Sequence, residues 1–198
     1  MTRLLLVRHA QSTWNAQERW QGWADPPLSA LGERQAAEAA TRLAGLGLGS
    51  AVASDLERAR RTAEILADAL SLGPPHTDPG LRERDVGDWA GHTSSEVDER
   101  WPGVREAWRA GKLLAPPGGE PNDVFAGRVL EALERVVARP AADAEDPVLV
   151  VTHGGVIRVL LRHLGAASQP VGLLAGYWFQ MDGSAIQAGD RIPGVEPG

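Results

Sequence analysis

The chain has 198 residues, 43% of them apolar and 23% charged, the make-up of an ordinary globular protein able to bury about 70% of its unfolded surface. It has no cysteine and a formal net charge of −6. Disulfides, thiolate nucleophiles and cysteine-ligated zinc are therefore excluded, and a general nucleic-acid binder, whose footprint is basic, is disfavoured.

Leu4-Leu5-Leu6-Val7 predicts a buried strand that stops on Arg8-His9. The first apolar run is too short for a secretory leader, and no stretch approaches a membrane span, so a cytoplasmic location is expected. An irregular, tryptophan-rich stretch follows from Trp14 to Pro27. Ser29 is placed to cap a helix with Ala36, Ala39, Ala40 and Leu43 on one face, closed by Gly45, Gly47 and Gly49. Ala51-Val52-Ala53 reads as a short buried strand, and Asp55 as the N-cap of a helix burying Ala59, Ala63, Leu66 and Leu70. Residues 71–80 read as a loop, and 92–112 as one or two short helices broken at Pro102-Gly103. After a second loop at 115–121, Phe125, Val129, Leu133 and Val136 mark a helical stripe. A polar linker from Arg139 to Pro147 leads to a second apolar strand, Val148 to Thr152, which ends on His153-Gly154-Gly155. Val156, Ile157, Leu160, Leu161 and Leu164 give the next helix. Tyr177 to Met181 reads as a late strand at a sheet edge, and the tail from about 189 to 198 as loose. No internal repeat or domain linker interrupts this order, so one domain over 1–198 is expected, with a lid at about 92–121. Alternating strands and helices predict an α/β fold.

Two strands ending on histidine, one also carrying arginine, place a cation and two imidazoles on the rim where α/β sheets bind ligands. A buried arginine needs an anion. That disfavours a two-histidine metal site, since a cation beside a metal is repulsive, and favours phosphate. Gly154-Gly155 at a helix start adds backbone N–H groups suited to an anion. Arg58 falls in the first turn after the middle strand, on the same rim. Arg60 and Arg61 point elsewhere at about 100° per residue and read as surface groups. A phosphate ester also needs a proton for its leaving alkoxide. Glu83 is the candidate in Leu81-Arg82-Glu83-Arg84-Asp85-Val86-Gly87-Asp88, where spacing alone does not separate it from Asp85 or Asp88.

The ordered set Arg8-His9-Ala10, Ser54 with Arg58-Ala59 and Thr62-Ala63, Leu81-Arg82-Glu83 with Gly87 and Trp89-Ala90-Gly91, and His153-Gly154 resembles the histidine phosphatase superfamily. The branch is that of cofactor-dependent phosphoglycerate mutases and small phosphatases, and the similarity spans roughly residues 3 to 165. The resemblance implies a three-layer α/β/α sandwich with a mixed, mostly parallel sheet, phosphoglycerate mutase-like, with the two histidine strands side by side. It implies His9 as nucleophile, Arg8, Arg58 and His153 on the phosphoryl oxygens, Asn15, Gln21 and Gly154 as further ligands, and Glu83 as acid and then base. His9 would be deprotonated and His153 charged. Neither metal nor cofactor is implied; the partner is a small phosphorylated metabolite, with no nucleic acid and no membrane, and relatives suggest a homodimer.

Departures from the family pattern are Ala10 for glycine and Pro121 for serine after Gly119-Glu120. The short 92–121 segment holds Trp101 and Trp108 with a single lysine, Lys112, and favours a phosphatase over a mutase. The Pro116-Pro117-Gly118-Gly119-Glu120 segment is similar to that of α-ribazole, glucosyl-3-phosphoglycerate and broad-specificity acid phosphatases. The alternatives are a cofactor-dependent phosphoglycerate mutase and a catalytically inactive phospho-ligand binding module. At least half of Trp14, Trp20, Trp23, Trp89, Trp101 and Trp108 are expected to pack helices; those in the first loop or the lid are candidates for a pocket wall. Glu120 is placed at the pocket mouth, where it would disfavour highly anionic substrates.

Overall fold

The computed structural model describes residues 1–139, 146–167 and 169–194. The strands are β1 (Thr2–Arg8), β2 (Ser50–Ala53), β3 (His76–Thr77), β4 (Val148–Thr152), β5 (Gly176–Asp182) and β6 (Ala185–Ile192). The helices are α1 (Ala30–Leu43), α2 (Glu57–Leu70), α3 (Ser94–Arg100), α4 (Val104–Arg109), α5 (Asn122–Val137) and α6 (Gly154–His163). One six-stranded sheet has the order β3-β2-β4-β1-β5-β6. Its first four strands are parallel, and β5 and β6 are antiparallel additions.

The continuous apolar runs of β1 and β4 follow from their central position, since both faces of such strands must be covered. Successive side chains alternate between those faces. Leu4, Leu6, Val148 and Val150 pack with Phe125, Val129 and Leu133 of α5 and Ile157 and Leu160 of α6. Leu5, Val7, Leu149 and Val151 pack on the opposite face with alanines of α1 and α2 and with Leu66. This gives the expected three layers. β1 and β4 are hydrogen-bonded neighbours with Arg8 opposite Thr152, so His9 and His153 leave the sheet at one rim.

Four local expectations change. The 71–80 loop contains β3, which pairs Val52 with His76; it has two exposed residues and no apolar pattern to announce it. Leu56, not Asp55, is the N-cap of α2. Ser54 Oγ accepts the Leu56 N–H at 3.3 Å, while Asp55 Oδ1 accepts from Arg82 Nε at 2.7 Å. β5 is not an edge, because β6 pairs along its outer side and carries the supposedly loose tail in strand form as far as Ile192. Of the expected polar linker, residues 140–145 lie outside the described residues, as do 195–198 of the tail.

Candidate active site

His9 is anchored by its backbone N–H, which donates to Thr152 O at 2.9 Å. Its Nδ1 lies 2.7 Å from Ala10 O. A carbonyl only accepts, so Nδ1 carries the proton and Nε2 keeps its lone pair. Arg58 Nε donates to that Nε2 at 3.3 Å. Burial pushes the His9 pKa well below the usual 6.5, and Arg58 and Arg8 push the same way against the bond to Ala10. A neutral, tautomerically fixed imidazole with a lone pair in a cationic pocket has the chemical form a nucleophile requires.

The His153 ring centroid is 5.2 Å from that of His9, and the planes cross at 64°. Its Nε2 lies 2.9 Å from Ser54 Oγ, whereas its buried Nδ1 has no partner among the described residues. The charged state expected for this ring is one beside bound phosphate; in the free protein the surroundings act the other way. Burial, then Arg58, His9 and Arg8, lower its pKa well below 6.5. Its capacity as a donor at Nδ1 survives neutrality if Ser54 gives its hydroxyl proton to Nε2.

Arg58 is 1% exposed, and besides His9 it donates to Ala24 O at 2.9 Å and Gly22 O at 2.8 Å. Thr62 ties this helix to the His9-Ala10 segment: its hydroxyl donates to Arg58 O at 2.6 Å and accepts from Ala10 N at 3.1 Å. Arg8 Nη1 donates to Val171 O at 2.8 Å. Burial lowers both guanidiniums to about 10, Glu83 opposing, so both remain charged at neutral pH. Arg60 and Arg61 pair instead with Glu57, Glu64 and Glu33, as their surface placement foresaw.

Asn15 and Gln21 reach the same cavity. Ser12 N donates to Asn15 Oδ1 at 3.1 Å, and Ser12 Oγ donates to Gln21 Oε1 at 2.8 Å. Both amide oxygens are thus held, which leaves both NH₂ groups as donors. Of the three acidic candidates only Glu83 lines the cavity; Asp85 caps Gly87 N at 2.9 Å, and Asp88 is exposed. Glu83 Oε2 accepts from Gly155 N at 2.9 Å and its Oε1 from Arg84 N at 2.8 Å. The helix N-terminus therefore grips the carboxylate rather than offering that N–H to a ligand. Gly154 does not line the cavity; a Cβ there would lie 3.4 Å from Arg8 Cδ.

Sequence reasoning missed Arg128. Its guanidinium donates to Gly80 O, Arg82 O and Glu83 O at 2.9, 2.8 and 2.7 Å. It also forks onto both Glu120 oxygens at 2.7 and 2.8 Å. Glu120 is therefore a buried, neutralised partner, its side chain 9% exposed, and not the anion-repelling group expected at the mouth. The available signal was an arginine three residues after Phe125, on the flank of the buried α5 stripe.

The cavity holds about 300 Å³. Of the tryptophans, Trp20 and Trp108 form part of its wall. Trp89 is fully buried behind them, its centroid 5.3 Å from that of Trp20 and 5.5 Å from that of Trp108. Trp23, 42% exposed, donates to Glu83 O at 2.8 Å and so braces the backbone of Glu83. No cluster of three or more metal-ligating His, Asp or Glu side chains occurs among the described residues. No helix among them is long and apolar enough to cross a membrane.

Residues 4–173 match the model of the histidine phosphatase superfamily (branch 1). The chain is 41% identical over 197 residues to a glucosyl-3-phosphoglycerate phosphatase of Mycolicibacterium vanbaalenii, covering 95% of this chain and 87% of that protein. It is 37% identical to a 2,3-bisphosphoglycerate-dependent phosphoglycerate mutase of Methylobacterium radiotolerans, over 85% of this chain and 82% of the mutase. Among solved structures, a mycobacterial glucosyl-3-phosphoglycerate phosphatase in complex with VO3 superposes with a TM-score of 0.82 at 33% identity, covering 95% of this chain and 96% of that one.

Proposed function

The chain belongs to the histidine phosphatase superfamily, branch 1, and from that premise we propose that it hydrolyses phosphate monoesters of small metabolites by two displacements at His9. The carrying observation is the fixed tautomer of His9, with Nε2 beside Arg58 and the ring 5.2 Å from that of His153. Nε2 attacks phosphorus, the P–N bond forms, and the ester P–O bond breaks as Glu83 gives a proton to the leaving alkoxide. Glu83 then takes a proton from water, the water oxygen attacks phosphorus, and the P–N bond breaks to release inorganic phosphate and neutral His9. Arg8, Arg58, the orphan Nδ1 of His153 and the amides of Asn15 and Gln21 are donors for the equatorial oxygens, whose charge grows in the transition state.

A phosphate-release screen tests this reading with sugar phosphates, nucleotides, phosphoglycerates and the glucosyl-3-phosphoglycerate named for the relatives. Turnover is expected with an acid-labile, base-stable phosphoenzyme that His9→Ala abolishes. Full activity in His9→Ala would remove the covalent mechanism. Interconversion of phosphoglycerates primed by 2,3-bisphosphoglycerate, without net phosphate release, would identify a mutase. Absence of both turnover and labelling would leave a binding module.

A further inference from the structure

The ends of three neighbouring strands stand in a row at the rim of the site. β2, β4 and β1 lie side by side in the sheet, and the residues just past their ends are Ser54, His153 and His9. The proposed reaction gives Ser54 no part. Yet this side chain is fully buried. Its N–H donates to Val151 O at 2.9 Å, which holds it beside β4, and its Oγ lies 2.9 Å from His153 Nε2. A hydroxyl shut away from water must find partners inside the protein, both for its proton and for its lone pairs.

The serine proton has one destination among the described residues. Oγ already accepts the Leu56 N–H at 3.3 Å, and its other hydrogen-bond partner is His153 Nε2. Were Nε2 to carry the proton and donate, Oγ would accept twice while its own proton stayed buried without an acceptor. Nδ1 of the ring would then hold a bare lone pair, also without a partner. That arrangement orphans two buried polar groups, each of them costly. With the hydroxyl donating, Oγ and Nε2 are both satisfied, and the Nδ1 N–H alone is left over. A ring protonated on both nitrogens is opposed by burial and by Arg58, His9 and Arg8.

We infer that Ser54 is a positioning residue, which fixes His153 as the Nδ1–H tautomer and so makes that nitrogen an uncharged donor for a phosphoryl oxygen. The inference rests on the hydrolase reading and deepens it. His9 and His153 then hold the same tautomer for opposite purposes. Ala10 O takes the Nδ1 proton of His9, which leaves a lone pair at Nε2. Ser54 occupies Nε2 of His153, which leaves a proton at Nδ1. One ring attacks and the other donates, and in the free protein neither adds charge to a cluster that already holds Arg8 and Arg58. A proton taken up beside a bound dianion enters at Nε2, Ser54 then accepts instead of donating, and the Nδ1 donor is unchanged.

Nitrogen NMR on the ligand-free protein with isotope-labelled histidine reads the tautomer directly. It is recorded at about pH 8, well above the ordinary histidine pKa, with the His153 signals assigned by their loss in His153→Gln. The natural protein is expected to carry the His153 proton on Nδ1, and Ser54→Ala to move it largely to Nε2. A proton on Nε2 in the natural protein, or an unmoved tautomer in Ser54→Ala, overturns the inference. In turnover of glycerol 3-phosphate, Ser54→Ala is expected to lower kcat by about 10-fold or more with KM little changed, because the donor counts most as charge grows on the equatorial oxygens. Ser54→Thr keeps the hydroxyl and is expected to restore the tautomer and most of the rate. An unchanged kcat in Ser54→Ala also overturns the assignment, and a slower enzyme with the Nδ1 proton in place marks a packing role and does the same. If no ester releases phosphate, the hydrolase reading fails, while the tautomer of the natural protein still decides what Ser54 does to His153. That same measurement decides it if Ser54→Ala does not fold.

Discussion

Replacing Gly155 with alanine is a one-methyl test of the acid. A Cβ at this position would stand 1.8 Å from Glu83 Oε1 and 2.8 Å from its carboxyl carbon. Non-bonded atoms do not approach so closely, so the carboxylate must retreat by about 1 Å or more. The obstruction is the far end of a flexible side chain, and Gly155 lies in the first turn of α6, where alanine is a better helix former. The fold therefore tolerates the change while the acid loses its place. A displacement of about 1 Å costs about 10²-fold in rate, or about 2.7 kcal/mol of barrier. The loss must depend on the leaving group. An alkyl phosphate needs a proton from Glu83, whereas a nitrophenolate leaves without one. We expect phosphoenzyme formation to fall about 100-fold with glycerol 3-phosphate and far less with p-nitrophenyl phosphate. Stopped-flow or quench measurements on both substrates separate the cases. Equal slowing of the two, with an unchanged melting temperature, would falsify the assignment of Glu83 as acid.

Removing the arginine alone in Arg128→Ala leaves the largely buried Glu120 side chain with only the Asp85 N–H at 3.4 Å, at a cost of about 3 kcal/mol read by urea denaturation; a loss under 1 kcal/mol would show the pair to be incidental. The Glu120→Gln variant keeps the shape but halves the fork, and its stability loss is expected to be smaller while hydrolysis of alkyl esters still slows. His9 and His153 both have folded pKa values below 6.5, so the unfolded chain binds more protons than the folded one below that pH. Their stabilisation is therefore fully present above about 6.5 and lost as pH falls, by up to about 1.4 kcal/mol per pH unit for each ring. Urea midpoints between pH 6.5 and 5 should show this slope flatten in His9→Gln/His153→Gln, and an unaltered slope would contradict the buried neutral pair. Sulfate, a dianion throughout this pH range, would lie against Arg8 and Arg58 and reverse part of the field acting on His153. Calorimetry in buffers of different ionisation enthalpy should then show net proton uptake near pH 6.5, and buffer-independent heats would refute it.

Legibility followed sequence distance. The apolar runs of β1 and β4 announced themselves because central parallel strands must be apolar on both faces, and their shared endings placed His9 and His153 before any pairing was known. Arg58 was legible from helical phase alone. Glu83 was not separable from Asp85 and Asp88 by spacing, because what distinguishes it is contact with Gly155 N, 72 residues away. The Glu120–Arg128 fork reads locally as two exposed charges, and only the fold brings the Gly80–Glu83 carbonyls to it. β3 has two residues, too few for a pattern, and β6 has almost no buried positions to mark it. The Asp55 cap was a sound local rule overridden by a partner from afar, Arg82.

On the proposed mechanism, the same cations account for both the readiness of His9 as nucleophile and the choice of ligand. A histidine in water near neutrality is partly protonated, and the protonated fraction cannot attack through Nε2. Enclosing it beside Arg58 and Arg8 removes that proton without any dedicated base, since charging the ring would add a third positive charge to a buried cluster. The cost of gathering those guanidiniums is carried by the fold, through the carbonyls of Gly22, Ala24 and Val171 that hold them. A phosphate dianion is the species that would relieve the cluster most, and by drawing the Arg58 guanidinium onto its own oxygens it would free the Nε2 lone pair that Arg58 Nε holds at 3.3 Å. Neutral and cationic ligands gain nothing from the arrangement. Selection for phosphate and activation of His9 are therefore one electrostatic property, and a variant such as Arg58→Ala should lose both together.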